Sequence, residues 1–180
     1  MIVLIDTSSL ISLVRYYLLF DKDQTLYNFI KEKIESKQIL VLDKVYEECE
    51  YTAKGIVLEV LKYLKSKKNI TKTTEVLPTQ KFFNQLENQF INGSVKNKLS
   101  DVEFENRKND FLNSADAKLL LFSISDSSKQ YVIVSEETET SNDNKSFKKL
   151  PTICKILDLE IITLPKLLKN YQEINLIFNK

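Results

Sequence analysis

The chain has 180 residues, of which 43% are hydrophobic, so it is long enough to bury the core of one ordinary domain. Its 26 basic side chains nearly cancel its 25 acidic ones, and the net charge of +1 excludes a polycation that binds anions nonspecifically. The absence of histidine excludes Ser-His and Cys-His nucleophile pairs, HExxH zinc sites and an imidazole general base. An enzyme of this composition would rely on carboxylates for its chemistry, with or without a metal ion.

The residue types that are rare in this chain exclude further classes of functional site. Cys49 and Cys154 stand alone in their segments, which predicts buried small hydrophobes rather than zinc ligands or a disulfide. Gly55 and Gly93 are the only glycines, so the glycine-rich phosphate loop of dinucleotide enzymes is absent. Neither a leader-like segment nor an apolar run of membrane-spanning length is present, which predicts a cytoplasmic protein.

The first predicted strand is followed directly by an acidic residue, Asp6. Residues 2–5 are apolar and partly β-branched, which predicts a strand buried on both faces, and residues 10–14 predict the start of a helix. Asp6 therefore lies at the carboxyl end of a strand, where open α/β sheets bind their ligands. Aspartate is equally well explained here as the cap of the helix. This segment alone leaves both interpretations open.

A helix, a strand and two further helices follow. Apolar spacing predicts a helix over residues 26–34, and residues 38–42 predict a second strand. Asp43 is placed to cap an amphipathic helix over residues 44–50, which carries Glu47 and Glu48 in its first turns. Another helix is predicted over residues 56–64.

Residues 65–110 differ in character from the rest of the chain. The stretch is polar and rich in Asn and Lys, and apolar residues at helical spacing predict a helical insertion within a single domain that spans residues 1–180. Lysines mixed with aromatic residues could grip a nucleic acid backbone. The same mixture is ordinary for the solvated face of surface helices, and this is the simpler interpretation.

Regular alternation returns after the insertion. Residues 114–124 predict a buried helix with Asp116 in its opening turn, where a negative charge is favourable. Residues 131–135 predict a strand that leads directly into Glu136 and Glu137, which repeats the strand-then-acid pattern of Asp6.

The closing segments complete the fold prediction. A helix over residues 150–157, a strand over 159–163 and a terminal helix over 164–168 follow in order. Strands that alternate with helices predict an α/β fold, a three-layer α/β/α sandwich with a central parallel sheet and helices on both faces.

Such a sheet brings four acids to one edge. Asp6 and Glu137 follow strands, while Asp116 and either Glu47 or Glu48 lie on helices that begin at that edge. Carboxylates at close quarters raise one another's pKa, and a divalent cation keeps them ionised. Oxygen ligands without His or Cys favour Mg²⁺ or Mn²⁺ over zinc. Such a site can activate water for attack on a phosphodiester.

The order of these segments resembles a PIN domain. The resemblance rests on four stretches, Asp6-Thr7-Ser8-Ser9-Leu10, Val45-Tyr46-Glu47-Glu48, Ala115-Asp116-Ala117-Lys118-Leu119 and Ile133-Val134-Ser135-Glu136-Glu137. Within that superfamily the chain looks closest to a DUF4411-like group, because of the segment Lys149-Leu150-Pro151-Thr152-Ile153-Cys154 and the strand and helix after it. The resemblance implies a PIN-like fold and a metal-dependent endoribonuclease that cuts RNA. Many small bacterial members are toxins held by a cognate antitoxin protein.

The resemblance also assigns roles to residues. It implies metal ligation and catalysis by Asp6, Glu48, Asp116 and Glu137 with Mg²⁺ or Mn²⁺. Ser8 matches the small polar residue beside the metal, and Ser135 matches the hydroxyl residue two positions before the fourth acid. Glu47 remains an alternative to Glu48, and Glu136 an alternative to Glu137.

Two other functions remain open on the sequence. The acids could serve only as helix caps in a non-catalytic module of the same fold that binds a protein or a nucleic acid. A nuclease with the same metal chemistry could act on DNA, since that chemistry does not depend on the sugar. A HAD-type phosphotransferase is disfavoured, because Ser8 stands where its second aspartate would be. A homodimer is left open.

Overall fold

Five parallel strands form the centre of this computed structural model, which describes residues 1–139 and 145–171. The strands are β1 (Ile2–Ile5), β2 (Ile39–Leu42), β3 (Ile70–Thr71), β4 (Tyr131–Val134) and β5 (Glu160–Ile162). Their order in the sheet is β3-β2-β1-β4-β5, and every neighbouring pair is parallel. The predicted parallel sheet is confirmed.

Helices flank this sheet, which confirms the predicted three-layer α/β/α class. The α-helices of the described residues are α1 (Thr7–Ser12), α2 (Thr25–Glu35), α3 (Asp43–Tyr51), α4 (Ile56–Val60), α5 (Gln80–Gln85), α6 (Gly93–Lys96), α7 (Asp101–Leu112), α8 (Ala115–Ser125), α9 (Leu150–Ile156) and α10 (Leu164–Asn170). None of these described helices has both the length and the apolar character that crossing a membrane requires.

The central strands are apolar on both faces because helices cover both faces. In β1 the residues Val3, Leu4 and Ile5 are buried, and all four residues of β2 are buried as well. Such continuous burial is typical of the middle strands of a parallel sheet. Cys49 and Cys154 lie in the same core as free thiols, as predicted.

The strand order reverses beside β1, and this positions the functional site. The chain passes from β1 to β2 on one side of the sheet and returns to β4 on the other side. Ile5 pairs with Val134, and the Asp6 N–H donates to the Val134 carbonyl at 2.9 Å. The carboxyl ends of β1 and β4 therefore lie side by side. Crevices at such a reversal are where open α/β sheets bind ligands.

The predicted helical insertion also contributes a strand, β3, which the sequence analysis missed. Val41 pairs with Ile70 and Leu42 with Thr71, so β3 forms an edge of the sheet next to β2. The strand has only two residues, both half-buried, and so gives no periodic signal. The rest of residues 65–110 is largely helical, in α5, α6 and α7.

The helix predicted over residues 56–64 is broken in the structure. Helix α4 ends at Val60, Leu61 has φ −86° and ψ 62°, and a short 3₁₀ turn over Lys62–Lys65 follows. A tight reversal precedes α4, because Ala53, Lys54 and Gly55 all have positive φ. The helical spacing of apolar residues continues through Leu61, whereas the helical backbone conformation ends at Val60. Periodicity alone therefore could not show the break.

Candidate functional site

Asp6 caps α1 and also faces a pocket. Its Oδ1 accepts a hydrogen bond from the Thr7 N–H at 2.7 Å, as a helix N-cap does. Its Oδ2 accepts hydrogen bonds from the hydroxyls of Ser8 at 2.6 Å and Ser135 at 2.9 Å. The residue is only 5% exposed. The two interpretations of Asp6 are thus compatible, since one carboxylate oxygen caps the helix and the other joins a buried polar cluster.

The two serines connect β4 to the start of α1. Their Oγ atoms lie 3.2 Å apart. The Glu136 N–H donates to Ser8 Oγ at 3.0 Å, and the Glu137 N–H donates to Ser135 Oγ at 3.2 Å. The backbone that carries both glutamates is therefore fixed relative to Asp6.

Helix α3 presents Glu48 to the pocket and Glu47 to solvent. Glu48 Oε2 accepts a hydrogen bond from the Thr7 hydroxyl at 2.7 Å. Burial raises the pKa of Glu48, and the charges of Asp6 and Glu137 raise it further, against the Thr7 hydrogen bond. Glu47 is exposed and forms an ion pair with Lys44 in the same helix.

Asp116 lies in the first turn of α8, whose N-cap is Ser114. The Ser114 hydroxyl accepts a hydrogen bond from the Ala117 N–H at 3.2 Å, so Asp116 is not needed as the cap. Burial raises the pKa of Asp116 to about 8, assisted by the charges of Asp6, Glu137 and Glu48. Burial beside three other carboxylates therefore disfavours the ionised form of Asp116, against the opposing charge of Lys145.

The two acids after β4 face different parts of the molecule. Glu136 Oε1 accepts a hydrogen bond from the Leu164 N–H at 2.6 Å, at the start of α10. Glu137 lines the pocket, and its Oε2 accepts a hydrogen bond from the Leu150 N–H at 3.3 Å, at the start of α9. The structure thus brings Glu137 to the other acids and turns Glu136 toward a helix terminus.

These groups surround a pocket of about 220 Å³, called here the acidic pocket. Four carboxylates line it, those of Asp6, Glu48, Asp116 and Glu137. Thr52 and Lys145 line it too, and the sequence analysis missed both. Lys145 lies in a polar stretch of sequence without periodicity, and Thr52 directly follows α3. Neither position therefore has a sequence pattern that would predict a place in the pocket.

The donor set of the acidic pocket suits a hard cation. Its ligand atoms are oxygens, from carboxylates and hydroxyls. Within residues 1–139 and 145–171, no three His, Cys, Asp or Glu side chains are placed to hold a metal ion together. Mg²⁺ is commonly bound by one or two carboxylates, with water and substrate oxygens in its other positions. The pocket thus offers the oxygen donors that hard cations prefer, while its described side chains are not placed as a closed metal cage.

Comparison with known proteins gives one match. No curated protein and no solved structure matches the chain. A family model described as Domain of unknown function (DUF4411) matches residues 3–174, and so covers the five strands, apart from Ile2 of β1, and the four acids of the pocket. The chain belongs to the DUF4411 family.

Proposed function

We propose that the protein is a divalent-metal-dependent nuclease of the PIN type that hydrolyses RNA phosphodiesters. One observation carries the proposal, the convergence of four carboxylates from four separate segments on the acidic pocket at the reversal of strand order. Capping does not account for this cluster, since Ser114 caps α8 in place of Asp116 and Glu48 lies in the second turn of α3. Burial, assisted by repulsion from the other acids, raises the pKa of Asp116 to about 8, and a cation would relieve that repulsion.

The residues of the pocket have separable roles in this proposal. Asp6, Asp116, Glu137 and Glu48 are the carboxylates that would take part in binding Mg²⁺ or Mn²⁺, with water and substrate oxygens completing the coordination. When bound, the ion supplies positive charge and lowers the pKa of an attacking water. Ser8 and Ser135 hold Asp6 Oδ2, and the Thr7 hydroxyl holds Glu48, so two of the acids are oriented before any ligand arrives.

The PIN resemblance supports RNA as the substrate and also suggests a cellular role for the protein. It implies a toxin that acts in the cytoplasm and is inhibited by a cognate antitoxin protein. A small open reading frame directly upstream of the gene would support this extension.

The Asp6→Asn variant tests the proposal. Asparagine is as good an N-cap as aspartate, so the variant should keep the fold while it loses the charge. Cleavage of structured and single-stranded RNA in Mg²⁺ or Mn²⁺ should fall at least about 100-fold. The exposed Asp23→Asn is the matched control and should cleave as the wild type does. Equal cleavage by Asp6→Asn and wild type would reject the nuclease.

A non-catalytic binding module is the second candidate function. It is favoured by the fact that both oxygens of Asp6 already accept hydrogen bonds within the protein. Calorimetry with Mn²⁺ separates the two functions, because the module predicts no heat of metal binding. Single-stranded DNA in the same cleavage assay tests the third alternative, a nuclease that acts on DNA.

A further inference from the structure

A second pocket, called here the flanking pocket, adjoins the acidic pocket. Its volume is about 310 Å³, and it shares Ser114, Asp116, Glu137 and Lys145 with the acidic pocket. We infer that the flanking pocket binds the nucleotide next to the cleaved phosphodiester of a single-stranded nucleic acid. This inference rests on the proposed nuclease function and adds the residues that would position its substrate.

The flanking pocket is lined by side chains of both charges. Besides the shared Asp116 and Glu137, its lining includes the basic residues Arg107, Lys148 and Lys149 and the shared Lys145. Asp110 is the one further carboxylate among the described residues that line the pocket. Cations beside a carboxylate cluster suit a ligand with several phosphates, one at the acids and the next at the basic wall.

Aromatic rings form the apolar part of the same wall. Phe111 of α7 and Phe147 both line the pocket, with ring centroids 4.6 Å apart and planes inclined by 31°. The pocket volume lies at the lower end of the ~300–1,000 Å³ range of small-molecule sites, which suits one nucleotide and not a duplex. Basic groups combined with an apolar aromatic surface are typical of single-strand binding.

One buried hydroxyl in the wall of the flanking pocket lacks a hydrogen-bond partner among the described residues. Ser146 lines the flanking pocket and is only 6% exposed. Its Oγ has no hydrogen-bond partner among the described residues. Buried polar groups are seldom left unpaired, and rotation of this side chain toward the pocket would let the buried hydroxyl donate to an oxygen of a ligand.

The segment 65–110 holds this wall in place. The Asn92 N–H donates to the Ser146 carbonyl at 2.8 Å, and the Lys148 N–H donates to the Phe90 carbonyl at 2.8 Å. Ile91 forms an antiparallel bridge with Phe147. Helix α7, which begins in this segment and ends just beyond it at Leu112, supplies Arg107 and Phe111, so the stretch contributes one part of the pocket lining and holds another part in place.

The test measures binding and not cleavage. Anisotropy of a fluorescein-labelled, short oligouridylate is followed in EDTA, at salt concentrations from about 50 to about 200 mM. The double variant Arg107→Gln, Lys148→Gln should bind at least about 10-fold more weakly and lose about 0.7 from the salt slope for each phosphate contact removed. Ser146→Ala should keep its melting midpoint and bind about 3- to 10-fold more weakly.

Lys81→Gln is the matched control. Lys81 lines a separate cavity against the far end of α8, with no residue in common with either pocket described above, and its substitution should leave binding unchanged. Unchanged affinity and salt slope in the double variant would overturn the inference, as would equal competition by duplex RNA or by an acidic peptide. If the double variant binds normally and Asp6→Asn abolishes cleavage, only the inference about the flanking pocket is rejected. If the double variant binds more weakly and Asp6→Asn cleaves as the wild type does, the flanking pocket is supported and only the nuclease proposal is rejected.

Discussion

At the scale of single residues, the acidic pocket is built from side chains with two tasks. Asp6 caps α1 with one oxygen and joins the serine cluster with the other. Glu48 is held by the hydroxyl of Thr7, the residue that follows that cap. The local rules for helix starts therefore also fix the orientation of the site. Substitutions that keep the cap and remove the charge are the informative ones.

The neighbouring acids of α3 provide a matched comparison. Glu48→Gln should reduce metal-dependent cleavage by about 10- to 100-fold, because it removes a charge that lines the acidic pocket. Glu47→Gln should leave cleavage unchanged, because Glu47 is exposed and pairs with Lys44. Initial rates on one RNA substrate give the comparison. The reverse order of the two effects would show that α3 presents the other face to the substrate.

Asp116 should make the metal-free protein less stable as pH rises. Its pKa is about 8 in the folded state against a usual 3.8, so the folded state binds the extra proton between these values. Stability is then greatest below about pH 4 for this group and is lost progressively up to about pH 8. We expect a loss of roughly 1–3 kcal/mol, since solvent and relaxation reduce the ~1.4 kcal/mol per pKa unit.

Urea unfolding of the EDTA-treated protein at several pH values measures this effect. Asp116→Asn should remove most of the slope and stabilise the protein near pH 8, because the amide cannot ionise. A wild-type slope of the opposite sign through neutral pH would contradict the assignment.

At the scale of elements, the short strand β3 depends on one polar clamp. Asp43 Oδ1 accepts a hydrogen bond from the Thr73 hydroxyl at 2.6 Å, and its Oδ2 accepts one from the Thr73 N–H at 3.0 Å. Thr73 is only 2% exposed. Asp43 therefore does more than start α3, since it also holds the chain just beyond β3.

Thr73→Val should loosen this edge of the sheet. The change keeps the shape of the side chain and removes a charge-assisted hydrogen bond, so we expect a loss of about 1–3 kcal/mol in unfolding free energy. Amide hydrogen exchange in Ile70 and Thr71 should accelerate more than in β1. Thr74→Val, at the exposed neighbouring position, is the control and should change little. Equal effects of the two variants would show that the clamp contributes nothing.

The reversal before α4 should tolerate glycine better than alanine. Gly55 has φ +72°, and a Cβ added there would lie 3.2 Å from the Glu50 carbonyl oxygen. Gly55→Ala should therefore destabilise the protein by about 1 kcal/mol or more. Ala53 has φ +52°, so Ala53→Gly should be neutral or stabilising in the same thermal unfolding assay. Destabilisation by Ala53→Gly and not by Gly55→Ala would contradict this account.

The sequence predicted those elements whose signal is local. Strands β1, β2, β4 and β5 are apolar runs bounded by polar residues, and their positions were predicted within one or two residues. Strand β3 was missed because two residues carry no period. The break after α4 was missed because the apolar spacing continues through Leu61, so nothing in the sequence shows that the backbone leaves the helix there.

The same limit explains what the sequence left open in the site. Asp6 and Asp116 could be predicted because each lies at the end of one strand or the start of one helix. Glu47 and Glu48 differ by one step around a helix, and the choice depends on how Val45 and Cys49 pack into the core. That packing is a tertiary property, and so is the turn of Glu136 toward α10.

At the scale of the whole molecule, near neutrality conceals an uneven local distribution of charge. The net charge is +1, yet four carboxylates line the acidic pocket, while four basic and three acidic side chains line the adjoining one. For the proposed RNA substrate, long-range attraction would therefore be weak, and recognition would depend on short-range contacts.

Metal binding should stabilise the whole domain. Because the ion binds only the folded arrangement of carboxylates, Mn²⁺ at about 100 times its dissociation constant should add about 2.7 kcal/mol to the unfolding free energy and raise the melting temperature. KCl at matched ionic strength controls for screening. Asp116→Asn should reduce the shift, and an equal shift in the variant would place the ion elsewhere.

The pairing of β1 with β4 has a consequence for the order in which the protein is made. Ser135 donates to Asp6 across 129 positions of sequence, so the first carboxylate of the acidic pocket is synthesised long before the serine of β4 that orients it. Pairing over such a separation is slow, because a long loop must close before any contact forms. A ribosome-bound chain that ends before Glu137 lacks one wall of the pocket. If the protein is a nuclease, synthesis itself delays activity until most of the chain has emerged.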